Sequence, residues 1–271
     1  MSIHGNVKRV TTHTLQKMKE NGEKISMLTA YDYSFARIFD EAGVDVLLIG
    51  DSAANVVSGF ETTLPMTLNQ MIIMADSVVR AAKRSFVICD LPFGSYQGNS
   101  KEALNSSIRI MKESGVHAVK LEGGKEVCEA ISRIVSAGIP VMAHLGLTPQ
   151  SINKFGTYAV RAKEEAEAEE LIQNAVAVQE AGAFALVLEK IPAALGEKVA
   201  KTLSIPVIGI GAGGGVDGQV LVMHDMLGIT KDFSPRFLRR YLDLYEEIKN
   251  ATGQYISDVR RGDFPNEQEQ Y

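Results

Sequence analysis

Eight short, β-branched apolar runs alternate with longer amphipathic stretches, and this alternation constrains the fold of the chain more than any other feature. The runs are ISMLT (25–29), VDVLLIG (44–50), SFVICD (85–90), HAVKLE (117–122), PVMAH (140–144), FALVLE (184–189), PVIGIG (206–211) and the shorter QVLVM (219–223). Between them, SFARIFDEAG, TLNQMIIMADSVVRAAKR, KEALNSSIRIMKESG, KEVCEAISRIVSAG and EEAEAEELIQNAVAVQEAG carry helical periodicity. Gly43, Gly115, Gly138 and Gly182 stand where a glycine C-cap would end four of these helices. Strands that are apolar on both faces belong to a parallel sheet covered on both sides. Eight such units in 271 residues predict a (β/α)8 TIM barrel rather than an open doubly wound sheet. TLQKMKENG predicts a helix before the first strand, and a C-terminal helical extension follows the eighth. No Pro-, Gly- or Ser-rich linker divides the chain, so residues 1–271 are expected to form a single domain.

Composition narrows the partners. With 28 Lys and Arg against 33 Asp and Glu, the net charge is −5, which leaves no overall basic footprint for nucleic acid. No apolar run approaches the ~18 residues that cross a bilayer, and MSIHGNVKRV lacks the build of a signal peptide. Cys89 and Cys128 have neither disulfide-framework nor zinc spacing and read as buried thiols in a reducing compartment. The expectation is a cytoplasmic protein that binds neither nucleic acid nor membrane.

The strand ends are polar. The first strand runs into Tyr31 and Asp32, the second into Asp51 and Ser52, and the third into Asp90; the fourth carries Lys120 and Glu122, the fifth ends at His144 and the sixth at Glu189. In a parallel barrel these ends meet at one mouth. Each has a bland alternative: a helix cap for the acids, a Lys120–Glu122 pair within the barrel, a hydrogen-bonded strand-end histidine for His144. Together, Asp51, Asp90 and Glu122 could supply a hard-cation site of the Mg²⁺ type, and zinc fits less well because only one imidazole and no thiolate is near. Lys120 could neutralise a substrate carboxylate. Glu189, after the apolar ALVL, could act as a base or cap the helix after Pro192. The glycines of GIGAGG (209–214) formally match a dinucleotide fingerprint but follow the seventh strand, and read instead as a tight loop admitting substrate or a neighbouring segment. Residues 145–163, the longest break in the pattern, are either a binding loop or a surface excursion.

Taken in order, TAYDYSFARIFDEAGVD, LIGDS, TTLPMTL, DLPFGSYQ, AVKLEGG, HLGLTPQS, LVLE, PVIGIGAG, DGQVLVMHDMLG and PRFLRRY make the chain resemble the ketopantoate hydroxymethyltransferase family over nearly its whole length. Departures include AANVVSG after GDS, Ala143 before the HLG histidine and Lys190 after LVLE. The resemblance implies an Mg²⁺-dependent transfer of a one-carbon unit from 5,10-methylenetetrahydrofolate to 3-methyl-2-oxobutanoate. It implies Asp51, Asp90 and Glu122 as metal carboxylates, Asp51, Ser52, Asp90, Lys120 and His144 as substrate contacts, and Glu189 as the base. It further implies a homo-oligomer, often a decamer in that family. The residues alone leave open a related Mg²⁺-dependent lyase or aldolase acting on another 2-oxoacid, or a non-catalytic 2-oxoacid-binding barrel.

Overall fold

A computed structural model describes residues 8–271. Most of the opening MSIHGNVKRV lies outside them. Eight parallel strands, β1 (Ile25–Thr29), β2 (Val46–Ile49), β3 (Phe86–Asp90), β4 (Ala118–Glu122), β5 (Val141–Gly146), β6 (Ala185–Glu189), β7 (Val207–Ile210) and β8 (Gly218–Leu221), pair in chain order, and β8 returns to β1 to close a barrel. The predicted (β/α)8 architecture is the one observed. β5 runs two residues past its expected end.

Helix α1 (Thr12–Asn21) precedes β1. Helix α2 (Tyr33–Glu41) follows β1, α3 (Ala53–Val56) and α4 (Leu68–Ala81) follow β2, and α5 (Ser100–Ser114) and α6 (Cys128–Ser136) follow β3 and β4. The β5–β6 connection holds α7 (Ile152–Phe155) and α8 (Glu165–Glu180), and α9 (Ala193–Thr202) follows β6. All four glycines expected as helix ends have positive φ. Helix α8 opens with Glu165 and Glu167 in its first turn, where negative charge complements the helix dipole. β7 and β8 are joined by residues 211–217 without a helix. Gly213 explains how so short a link fits: its φ is +83° and a Cβ there would fall 2.4 Å from the Cβ of Ala193. The glycine cluster thus admits a neighbouring segment, one of the two expected alternatives.

The interior of the barrel follows the two-residue period of its strands. Ile25, Met27, Val46, Leu48, Phe86, Ile88, Ala118, Met142, Ala185, Val187, Ile208 and Val220 form one buried cluster, joined by Val10 and Leu15 from the segment that includes α1. Each fully buried branched side chain contributes about 1.5–3 kcal/mol. That apolar stack is what tolerates the charged layer above it.

Packing divides the chain into two compact units, Met1–Val222 and Met223–Tyr271. The first contains every barrel strand. The second contains α10 (Met223–Met226) and α11 (Leu244–Arg261), the expected helical extension. Within it, the Arg240 guanidinium donates to the carbonyls of Thr230, Lys231 and Phe233, and the Lys231 ammonium lies 4.7 Å above the Tyr245 ring. Among the described residues no helix is long and apolar enough to cross a membrane.

Candidate active site

Along β3 to β6 the inward-facing positions change from apolar to charged at the carboxyl ends of the strands. Ile88 is followed two residues on by Asp90, Ala118 by Lys120 and then Glu122, Met142 by His144, and Val187 by Glu189. Register sets the neighbours: Asp90 is level with Lys120, Glu122 with His144, and Glu189 with Gly146. Asp51 enters just beyond β2, and its backbone N–H donates to Asp90 Oδ2 at 3.1 Å. The structure therefore brings together Asp51, Asp90, Lys120, Glu122 and His144, all buried, with Glu189 half-buried beside them. Ser52 sits at the rim, its Oγ 2.9 Å from the Tyr31 hydroxyl. Asp32 is the exception among the acidic strand ends. It is the N-cap of α2, accepting from the N–H groups of Ser34 and Phe35 at 2.7 and 3.1 Å.

Two chains of charge run through the site. Lys120 Nζ lies 3.0 Å from Asp90 Oδ1, so its ion-pair partner is Asp90 rather than Glu122. His144 stands between two carboxylates, with Nδ1 3.3 Å from Glu122 Oε1 and Nε2 3.4 Å from Glu189 Oε2. Burial and the Lys120 charge disfavour the imidazolium, but Glu122 and Glu189 outweigh them and push the His144 pKa up to about 9. Burial also opposes the charge on Lys120, and Asp90, Glu122 and Asp51 overcome it, raising its pKa. The Asp51 carboxyl is driven well above the usual range by burial, then by the charges of Asp90 and Glu122. Asp90 is raised by burial against the pull of Lys120, whereas at Glu122 burial is outweighed by His144, Lys120 and the Gln150 N–H together and the pKa is lowered.

The site also uses residues that the strand pattern does not reveal. Gln150, in the turn after β5, donates from Nε2 to Asp51 Oδ2 at 2.8 Å and from its backbone N–H to Glu122 Oε2 at 3.0 Å. Tyr96, beyond β3, accepts the Glu122 N–H at 3.1 Å, and its hydroxyl lies 2.8 Å from Gln150 Oε1. The segment 145–163 is thus neither wholly loop nor excursion: Leu147, Gln150 and Ile152 are buried, while residues 156–160 are mainly exposed. Exposed Tyr158 has its phenol pKa raised by burial and then by the charge of Glu189. Cys89 is buried and Cys128 is half-buried, and the two form no disulfide.

This donor set fits a hard divalent cation. Four carboxyl groups face two cationic side chains, so with all four ionised two negative charges are left for a cation to balance, and without such a cation Asp51 and Asp90 have raised pKa values. Asp90 Oδ1 is buried and, although close to Lys120, accepts no well-directed hydrogen bond. Among the described residues no three His, Cys, Asp or Glu side chains form a ready-made ligand group. Mg²⁺ needs none, since one or two carboxylates suffice when water or substrate oxygens complete its octahedron. Both Glu122 oxygens already face protein donors, His144 and the Gln150 N–H.

A closed parallel barrel with acids, a lysine and a histidine gathered at the carboxyl ends of its strands defines a (β/α)8-barrel enzyme. The family model described as "Ketopantoate hydroxymethyltransferase" matches residues 9–267. The chain belongs to the ketopantoate hydroxymethyltransferase family. It is 69% identical, over 97% of each chain, to the 3-methyl-2-oxobutanoate hydroxymethyltransferases of Flavobacterium johnsoniae and Porphyromonas gingivalis. It is 63% identical to that of Bacteroides thetaiotaomicron, over 99% of this chain and 98% of the relative. Among solved structures it has the fold of phosphonopyruvate hydrolase, crystallised with oxalate and Mg²⁺ (TM-score 0.61, 12% identity, covering 95% of this chain and 92% of that one). It shares that fold with 2,3-dimethylmalate lyase (TM-score 0.59, 17% identity, covering 96% and 91%).

Proposed function

We propose that the chain transfers a hydroxymethyl group from 5,10-methylenetetrahydrofolate to 3-methyl-2-oxobutanoate, giving 2-dehydropantoate for pantothenate and coenzyme A synthesis. The observation that carries this reading is Glu189 beside His144 at the mouth of a barrel that also gathers the buried Asp51 and Asp90, in a chain of this family. Asp51 and Asp90 would hold Mg²⁺, with Glu122 contributing its charge from a carboxylate engaged by His144 and Gln150. When bound, Mg²⁺ supplies the positive charge that polarises the 2-oxo and carboxylate oxygens of the substrate.

The remaining work falls to the chain. Lys120 balances the substrate carboxylate, and Ser52 at the rim offers a hydrogen bond to it. Glu189 takes the C3 proton, and the electron pair of that C–H bond forms the new bond to the folate methylene carbon; both C–N bonds of that carbon break, water supplies its hydroxyl, and the C3 proton and the second proton of the water end on the two folate nitrogens. His144, whose Nε2 lies 3.4 Å from Glu189 Oε2 without a directed hydrogen bond, compensates the charge of that carboxylate. A homo-oligomer in the cytoplasm completes the proposal, supported by the resemblance and by the unpaired cysteines. The test incubates purified protein with 3-methyl-2-oxobutanoate, with and without methylenetetrahydrofolate and Mg²⁺. Product that forms only with both supports the assignment. Product formed without folate, or from a different 2-oxoacid alone, replaces it with a lyase or aldolase.

A further inference from the structure

Gln150 is buried to 5% exposure in a turn whose sequence, TPQS, carries no catalytic signature. Every hydrogen-bonding valence of its amide is used. Nε2 donates to Asp51 Oδ2 at 2.8 Å and to the Leu91 carbonyl at 3.0 Å; Oε1 lies 2.8 Å from the Tyr96 hydroxyl and accepts from Gln97 Nε2 at 2.9 Å. The orientation of this amide is not arbitrary. A flip would set Oε1 against the Leu91 carbonyl and a carboxylate, both acceptors, would set Nε2 against the Gln97 amide donor, and would leave the Tyr96 hydroxyl only the Glu122 carbonyl, at 3.1 Å, to donate to. The amide therefore presents an N–H, and only an N–H, to one chosen oxygen of Asp51.

We infer that Gln150 is a positioning residue for the cation site: it fixes the rotation of the Asp51 carboxylate, and Tyr96 acts through it by fixing the rotation of the amide. This rests on the proposed reading of Asp51 as a cation-holding carboxylate. The backbone N–H of Gln150 ties Glu122 into the same unit, so one turn sets the position of two acids that come from different strands. Partners of this kind behind a metal ligand typically account for 10–100-fold in metal affinity. A fully satisfied buried network is also where such orientation is held most rigidly.

The test uses metal-free full-length protein and Mn²⁺ as the probe, with binding followed by electron paramagnetic resonance and folding by thermal denaturation. Gln150→Met keeps the volume and removes both amide donors. It is expected to weaken Mn²⁺ binding by about 10–100-fold per folded molecule. Tyr96→Phe is expected to weaken binding by less, and the double variant to bind about as Gln150→Met does, because the two act in series. A lowered melting temperature with unchanged Mn²⁺ affinity makes Gln150 merely structural and overturns the inference. If Gln150→Met does not fold, unchanged Mn²⁺ affinity in Tyr96→Phe overturns it equally. Asp51→Asn separates the two levels: Mn²⁺ affinity equal to wild type removes the reading of Asp51 and the inference with it. Loss of affinity in Asp51→Asn but not in Gln150→Met removes the inference alone.

Discussion

His144 separates Glu122 from Glu189, with one ring nitrogen 3.3 Å from the first carboxylate and the other 3.4 Å from the second. A single imidazole therefore joins the acid cluster to the proposed base, and the cationic form of the ring is favoured by both neighbours.

Because Glu122 and Glu189 raise the His144 pKa to about 9, above its ordinary value near 6.5, the stabilisation from its protonated form is fully present below about pH 6.5. It is lost as pH rises through about 9. In protein kept metal-free with chelator, the melting temperature of wild type relative to His144→Gln is expected to fall between pH 7 and pH 10. A constant difference over that range would show that His144 is neutral in the fold.

Replacing Glu189 with Gln removes the base but keeps the shape facing His144 Nε2. Exchange of the C3 proton of 3-methyl-2-oxobutanoate in deuterated water, without folate, is expected to slow by about 10²–10⁴-fold. Proton NMR measures the exchange, and substrate binding measured in parallel should persist. Exchange at the wild-type rate assigns the base elsewhere.

Asp51 is held above the ordinary carboxylate pKa by burial and by Asp90 and Glu122, so its ionisation opposes folding at neutral pH in the absence of a cation. Asp51→Asn is expected to raise the melting temperature of metal-free protein at pH 8 while weakening Mg²⁺-dependent substrate binding. Calorimetry with and without Mg²⁺ checks both signs. Asp90→Asn differs, because it strips Lys120 of its ion pair, and losing one partner of a buried pair costs about 3–5 kcal/mol.

At the opposite end of the strands, the Asp40 carboxylate accepts the backbone N–H groups of Lys83, Arg84 and Ser85. Burial raises its pKa, but these bonds outweigh burial and the net shift is downward. Its contribution is present above the ordinary carboxylate pKa and is lost as pH falls below it. Asp40→Ala is expected to cost on the order of 2 kcal/mol or more at pH 7 in urea unfolding, since buried donors lose their acceptor. The penalty should shrink toward pH 3.

Gly146 has φ +91°, and a Cβ there would fall 2.3 Å from the Glu189 carbonyl oxygen. Gly146→Ala must therefore both strain the backbone and push β6 away from β5, costing at least about 1–3 kcal/mol. Its effect on kcat is expected to exceed its effect on KM, because the displaced strand end carries Glu189.

The barrel was legible because its strands obey a two-residue period and are apolar on both faces, so the chain records which positions face inward. Asp90, Lys120, Glu122, His144 and Glu189 continue that record past the last apolar residue and could be read together. Asp32 and Asp51 look alike in sequence, each ending a strand. They differ because Asp32 is followed at once by the free N–H groups of α2, whereas the helix after Asp51 takes Ser52 as its N-cap without a side-chain bond. Gln150 and Tyr96 were not legible. They come from loops with no period, and their meeting depends on how the β3 and β5 connections fold over the mouth.

The inward parity of β3 to β6 has a consequence for chain length. Inserting or deleting a single residue within the apolar part of β4 would turn Lys120 and Glu122 outward to the helix-facing side and bring Val119 and Leu121 into the mouth. A two-residue change would keep the facing but shift the height by one layer, separating Lys120 from Asp90 and Glu122 from His144. The central strands are therefore fixed in length to the residue. Tolerance for insertions is left to segments such as 156–160, where the chain runs over the surface.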